Sequence, residues 1–253
     1  MQLKPFFVLV FSFAILTAAA QRPAPDQIKT DKGMLTVQPI THGTLVLAWN
    51  QKTIYVDPYN GAKGFEGQKA PDLVLITDIH PDHLDLKTLE ALDLAHATLV
   101  VPPAVADLLP EHLRKKAVVL KNGDKTRQKD ISIKAVPMYN LPESPDTRHP
   151  KGRGNGYVLE LGDKKVYLAG DTEATSEMRN LDDIDVAFVP MNLPFTMDVD
   201  QAAEGVLAFK PKIVYPYHYR GKNGLSDVQE FKRLVNAGNK KIEVRLRNWY
   251  PEQ

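Results

Sequence analysis

Thr77-Asp78-Ile79-His80-Pro81-Asp82-His83-Leu84-Asp85 places two imidazoles and up to three carboxylates on nine consecutive residues. Imidazole nitrogen and carboxylate oxygen form the ligand set that suits zinc and related divalent metals. A solvated polar turn is the plainer reading of a lone Asp-His pair, but it explains this density of ligands poorly. Three more residues of the same kind stand far along the chain: His149, Asp171 in Gly170-Asp171-Thr172, and His218 in Tyr215-Pro216-Tyr217-His218.

The elements that must position these side chains can be read from the apolar pattern. Leu73-Val74-Leu75-Ile76 reads as a buried strand running into the motif. Leu86, Leu89 and Leu92 then carry helical spacing to about Leu94, with Asp85 as N-cap. Lys165–Ala169 is a strand stopping at Gly170-Asp171, and Lys212–Tyr215 a strand stopping just before His218. Met34–Val37, Thr44–Trp49 and Thr53–Asp57 precede them as strands, with His42 in the first turn. Histidine in such a turn is more often structural than functional. Thr98–Val101, Ala117–Leu120 and Ile131–Val136 continue a βαβαβ rhythm flanked by hairpins. Residues 137–156 are irregular and rich in proline and glycine. So long a loop in a compact domain is usually functional, and it carries His149. Its Tyr139, Asn140 and Lys151 could reach a substrate, although each is also an ordinary loop residue.

The chemical residues thus lie just past the ends of apolar strands. In layered α/β folds neighbouring strand ends meet at one edge, and sites form there. Asp82, His83, Asp171 and His218 would make a two-nitrogen, two-oxygen metal site. His80, Asp78 and a shared Asp171 could complete a second.

From about Ile40 to Tyr250 the chain resembles the metallo-β-lactamase-fold hydrolases. Within them it looks most like the branch that includes sugar-phosphate lactonases and N-acylphosphatidylethanolamine phospholipase D. The family's H-x-H-x-D-H motif corresponds to Asp78–His83, its bridging aspartate to Asp171, and its last histidine to His218. Val56-Asp57-Pro58 also matches this branch. Two departures stand out: Asp78 replaces the first histidine, and no histidine follows the strand Ile131–Val136, leaving His149 as the nearest candidate. Asp78 could ligate a metal or orient a neighbouring histidine. The resemblance implies an α/β fold: an αββα four-layer sandwich of two mixed sheets with helices on the outer faces. It also implies one or two Zn2+ ions, with Mn2+ or Fe2+ as alternatives, held among Asp78, His80, Asp82, His83, His149, Asp171 and His218. The implied chemistry is hydrolysis of an ester, lactone, amide or phosphoester by hydroxide from water whose pKa the metal lowers to roughly 7. Asp82 and Asp171 would orient that nucleophile. With two family histidines missing, a non-catalytic binding module on the same fold is the rival reading, while a β-lactamase proper fits less well.

Composition narrows the class further. A net charge of +1 gives no reason to expect nucleic acid or an acidic membrane as partner; the resemblance implies a small-molecule substrate. The absence of cysteine excludes disulfides, thiolate metal sites and a cysteine nucleophile. One positive charge before an apolar run at Phe6–Leu16, followed by Ala18-Ala19-Ala20, reads as a signal peptide over residues 1–20. An uncleaved anchor is the competing reading. Residues 21–32 read as a tether and 33–253 as one hydrolase domain, which would place the mature protein in the periplasm or the medium.

Overall fold

The computed structural model describes residues 22–251. The expected signal peptide lies outside them. Among the described residues no helix is long and apolar enough to cross a membrane.

Two seven-stranded sheets carry the chain. The first takes its strands in sequence order: β1 (Asp26–Thr30), β2 (Gly33–Thr41), β3 (Thr44–Trp49), β4 (Lys52–Val56), β5 (Leu73–Leu75), β6 (Thr98–Val101) and β7 (Ala117–Val119). Its first four strands are antiparallel, and β4 to β7 run parallel. The second sheet repeats the plan. Strands β8 (Lys125–Gln128), β9 (Ile131–Met138), β10 (Gly154–Leu161) and β11 (Lys164–Leu168) are antiparallel, and β12 (Val186–Pro190) and β13 (Ile213–Tyr217) continue in parallel. A two-stranded hairpin, β14 (Arg220–Gly221) and β15 (Gly224–Leu225), follows, and β16 (Glu243–Val244) then closes the second sheet beside β13.

Period-two alternation decides what each strand face meets. In β5, Leu73 and Leu75 join the core that also holds Ile133, Leu159 and Phe188 of the second sheet. Val74 between them, with Ile76 beyond, turns outward into a separate cluster. That cluster is covered by α1 (Leu86–Ala91), α2 (Pro103–Leu108) and α3 (Glu111–Arg114) through Leu89, Val105 and Leu113. The far face of the second sheet is covered by α4 (Ser176–Arg179), α5 (Val199–Phe209) and α6 (Val228–Gly238), with Met178, Val206, Phe209, Phe231 and Val235 buried. Two mixed sheets between helical layers confirm the expected sandwich.

Asp85 caps α1 as expected, its side chain accepting from Thr88 N at 3.1 Å. Asp227 caps α6, its carboxylate accepting from both Gln229 N and Glu230 N. The tether requires correction: residues 26–30 are β1, paired in full register with β2. Ile28 is buried in the main core, and Asp26 Oδ2 accepts from Tyr215 Oη at 2.6 Å and from Arg247 Nη2 at 2.7 Å. One apolar residue and one carboxylate are enough to dock a segment that looks polar in sequence.

Candidate metal centre

The strand ends meet at one edge. Asp57 follows β4, Asp78 follows β5, Asp171 follows β11, Asn192 follows β12 and His218 directly follows β13. His42 sits in the turn from β2 to β3. Two contacts bind the sheets together here: Asn155 N donates to Thr77 O at 2.9 Å, and Tyr157 Oη to Ile76 O at 2.8 Å. Gly170, before Asp171, has φ +66°, and a Cβ there would lie 2.5 Å from Met138 Sδ. Only glycine meets both demands.

His83, Asp171 and His218 converge. His83 Nε2 lies 3.4 Å from Asp171 Oδ2, His218 Nε2 lies 3.3 Å from Asp171 Oδ1, and the two Nε2 atoms are 3.3 Å apart. All three residues are buried. Asp82 Oδ2 reaches in from the surface, 3.3 Å from His218 Nε2 and 3.8 Å from His83 Nε2. These four residues are the set the strand-end argument brings together. His42 joins them, its Nε2 3.2 Å from Asp82 Oδ2. The ring is satisfied within its turn, as the structural reading of His42 expects, and it also lies against the centre. Its Nδ1 also meets Tyr250 Oη at 2.8 Å, and His218 N donates to His42 O at 3.1 Å.

The second group is Asp78, His80 and His149. His80 Nδ1 is 2.6 Å from Asp78 Oδ2, and His149 Nε2 is 3.3 Å from Asp171 Oδ2. The long loop thus delivers His149 to the same space as His80 and Asp171. Asp78, however, is held by a guanidinium: Arg153 Nε donates to Oδ1 and Nη2 to Oδ2, both at 3.1 Å.

Behind the ligand atoms stands a layer of orienting partners. His83 Nδ1 is 2.8 Å from Asp57 Oδ2, and Asp57 also accepts from Thr77 N and Oγ1 at 2.7 and 2.6 Å. An Nδ1 proton committed to a carboxylate leaves Nε2 with its lone pair free, the form that binds metal. His149 is set in the same way: its Nδ1 lies 3.0 Å from Asn140 Oδ1, and Asn140 is fixed by donating to Phe195 O at 2.9 Å. Asn192 Nδ2 lies 2.9 Å from His218 Nδ1. Turning that amide half a revolution makes its oxygen the acceptor of an Nδ1 proton and gives His218 the ligating form. Asn140, read in sequence as a candidate substrate contact, instead orients His149. Tyr139 and Lys151 are engaged elsewhere, both on Glu177, at 2.7 and 2.8 Å.

The electrostatics fit a missing positive charge. Four carboxylates, those of Asp57, Asp78, Asp82 and Asp171, share this edge with one guanidinium. Burial opposes a charge on His83, but Asp171 and Asp57 outweigh it and hold the imidazole well above its ordinary pKa. Burial likewise opposes ionisation of Asp171, yet His218 and His83 keep it well below the usual carboxylate range. Burial and the neighbouring His218 push His42 the other way, downward, against the pull of Asp82. His149 Nε2 and Asp171 Oδ1 are buried with no hydrogen-bond partner. Orphaned buried lone pairs are costly unless something electropositive meets them. A divalent cation with nitrogen and oxygen ligands meets that need.

Residues 36–218 match the family model of the β-lactamase superfamily domain. The chain belongs to the metallo-β-lactamase superfamily. Within it, the chain is related to the UPF0173 metal-dependent hydrolases. The protein of that name from Pyrococcus horikoshii is 32% identical over 212 residues, covering 80% of this chain and 92% of the relative. The one from Thermus thermophilus is 31% identical over 193 residues, covering 74% and 84%. A crystal structure from Parabacteroides distasonis, named as a candidate metal-dependent hydrolase, shares 38% identity at a TM-score of 0.79, over 89% of this chain and 98% of that one. A metallo hydrolase of Ignicoccus hospitalis, at 24% identity and a TM-score of 0.71, covers 85% and 95% and shares the fold. This member of the superfamily is thus a metal-dependent hydrolase whose first motif position carries Asp78 and whose His149 comes from a loop.

Proposed function

We propose that this hydrolase is exported and cleaves an ester, lactone or phosphoester bond in a small molecule, as in the lactonase-like branch of the superfamily. One observation carries the reading: two histidine Nε2 atoms and the Asp171 carboxylate face one another within 3.3–3.4 Å, with the opposite ring nitrogens already engaged. His83, Asp171 and His218 would hold the cation, zinc by ligand type, with Asp82 at its exposed side. A divalent cation there supplies Lewis acidity and acidifies water toward neutral pH. The chain's own residues do the rest. Asp82, reachable from solvent, would orient the nucleophile; burial opposes its charge, but its imidazole neighbours hold its carboxyl well below the usual carboxylate range, so it stays ionised. His42, held neutral beside Asp82, fixes that carboxylate. Asp57 keeps His83 in ligating form, and Asn192 would do the same for His218 with its amide turned.

Arg153 supports a single strongly held cation. Its fork occupies both oxygens of Asp78 and contributes a positive charge beside His80 and His149. A second divalent ion would have to displace or tolerate that charge.

Two measurements on the mature protein test the reading. Metal content by mass spectrometry should be close to one zinc per chain after reloading. Hydrolysis across a panel of lactones, phosphodiesters and acyl esters should be lost on chelation and restored by metal. A chain that retains far less than one equivalent overturns the proposal. N-terminal sequencing of the fractionated protein tests export, with Gln21 as the expected first residue.

A further inference from the structure

A cleft of about 490 Å3 opens beside the metal centre. Its lining includes Arg22, Tyr59, Lys63, Glu66, Arg220 and Tyr250. That volume is within the range of small-molecule sites. The cleft and the centre share a wall. Tyr250 Oη contacts His42 Nδ1 at 2.8 Å, His42 Nε2 contacts Asp82 Oδ2 at 3.2 Å, and the ring of Tyr59 lies 6.2 Å from that of His42. A molecule lying in the cleft therefore has one end beside the Asp82 side of the centre.

The charge of the cleft is not balanced. Three cationic side chains face one carboxylate, that of Glu66. The guanidinium of Arg22 is committed to the backbone, donating to Gly64 O at 2.8 Å and Glu66 O at 2.9 Å, so it shapes the wall. Lys63 and Arg220 are exposed, and among the described residues neither forms an ion pair. Arg220 is nonetheless ordered: its guanidinium lies 4.2 Å over the Tyr250 ring, and its backbone N donates to Tyr250 Oη at 3.1 Å. The ring holds the guanidinium at the cleft wall, and a guanidinium fork can grip an oxyanion through two parallel hydrogen bonds.

We infer that the substrate carries an anionic group, a phosphate or a carboxylate, which Lys63 and Arg220 hold in this cleft while the bond to be cut lies over the His83–Asp171–His218 centre. This rests on the proposed hydrolytic function for the second half of the statement only. Oxyanion binding in the cleft stands or falls by itself. Tyr59 and Tyr250 would flank the body of the substrate between its two ends.

Calorimetric titration of the full mature chain with inorganic phosphate and, separately, acetate tests it, on zinc-loaded and chelated protein. Phosphate or acetate should bind in both states, the tighter of the two identifying the anion. The Lys63→Gln/Arg220→Gln double variant should weaken binding about tenfold or more, the loss of one or two charge-assisted hydrogen bonds, with zinc content unchanged. Glu66→Gln should shift affinity the opposite way, tightening it, which no folding defect would imitate. A kinetic arm compares the 4-nitrophenyl esters of acetate and succinate. Preference for the charged ester should collapse in the double variant. Equal affinity in wild type and double variant, no tightening in Glu66→Gln, or binding abolished by chelation alone would overturn the inference. Oxyanion binding without hydrolysis of either ester would count against the proposed reaction and leave the cleft intact.

Discussion

Two side chains at the metal centre make the sharpest expectations at the scale of single residues. Asp57 touches no cation, yet it fixes the tautomer of His83. Its backbone has φ +42°, a region Asn tolerates as well as Asp. Asp57→Asn should therefore fold, and should weaken zinc affinity by roughly 10- to 100-fold, as losses behind a metal ligand do. Competition against a chromogenic chelator measures this. Arg153 makes the second expectation. If its charge is what restricts the centre to one strongly held ion, Asp78→His combined with Arg153→Met should retain two equivalents of zinc through dialysis, where wild type retains one. Much of this was legible in the sequence: Asp82, His83, Asp171 and His218 follow apolar strands, and they meet. His42 was not, because a histidine between Thr41 and Gly43 looks like any turn residue. Its importance comes from φ values of +53° for itself and +46° for His218, which let His218 N reach His42 O. Such left-handed backbone at non-glycine residues concentrates at functional sites. Arg153 was hidden for another reason: nothing in a glycine-rich loop says which carboxylate an arginine will find.

The element that matters most is the segment 139–153 between β9 and β10, which supplies His149 and Arg153. It is fastened at its outer side by Glu177 of α4. Tyr139 Oη and Lys151 Nζ both meet that carboxylate, and Lys151 also lies 4.7 Å over the Tyr139 ring. Burial disfavours ionised Glu177, but Lys151 and Tyr139 outweigh it and hold its pKa at about 2, against an ordinary 4.5. A depressed carboxylate stabilises the fold above its unfolded-state value and loses that contribution as pH falls toward the folded value. The stability difference between wild type and Glu177→Gln should accordingly be full above pH 4.5 and shrink between pH 4.5 and 2. Because the cluster is partly exposed, the full difference should be about 1 kcal/mol or less. Chemical denaturation of the metal-free protein at several pH values measures it. Sequence reading identified this segment as functional by its length, and it located β5, β11 and β13 by their apolar runs. It missed β8, because Lys125-Thr126-Arg127-Gln128 contains no apolar residue. That strand exists because β9 offers it a partner edge across a two-residue turn, Lys129-Asp130, with φ of +50° and +66°; neither residue is the Asn-Gly or Asp-Gly pair that marks such a turn in sequence.

At the scale of the whole molecule, Asp26 ties the first sheet to the second. Its carboxylate accepts from Tyr215 of the second sheet and pairs with Arg245 and Arg247. Asp26→Ala should cost about 1.5–3 kcal/mol, the range for hydrogen bonds to a charged group. In a domain of this size that lowers the melting temperature by several degrees, at roughly 2–4 °C per kcal/mol. Calorimetry checks this, and zinc stoichiometry should be unaffected. The overall architecture was legible through the motifs that carry the family resemblance; β3, β5 and β6 are unbroken apolar runs, and only the structure shows their alternate residues entering two separate clusters. The docking of β1 was not, since a five-residue segment with a single isoleucine carries no pattern to read.

The final ligand has a consequence for the life history of the protein. His218 is supplied only after β13 has been laid down beside β12, some 135 residues after the His83 whose Nε2 it faces. No nascent or truncated chain ending short of that strand owns a complete metal cage. A divalent ion in the crowded milieu of synthesis would therefore find nothing to grip firmly until both halves have docked, and cation capture would be a stamp placed on finished molecules alone.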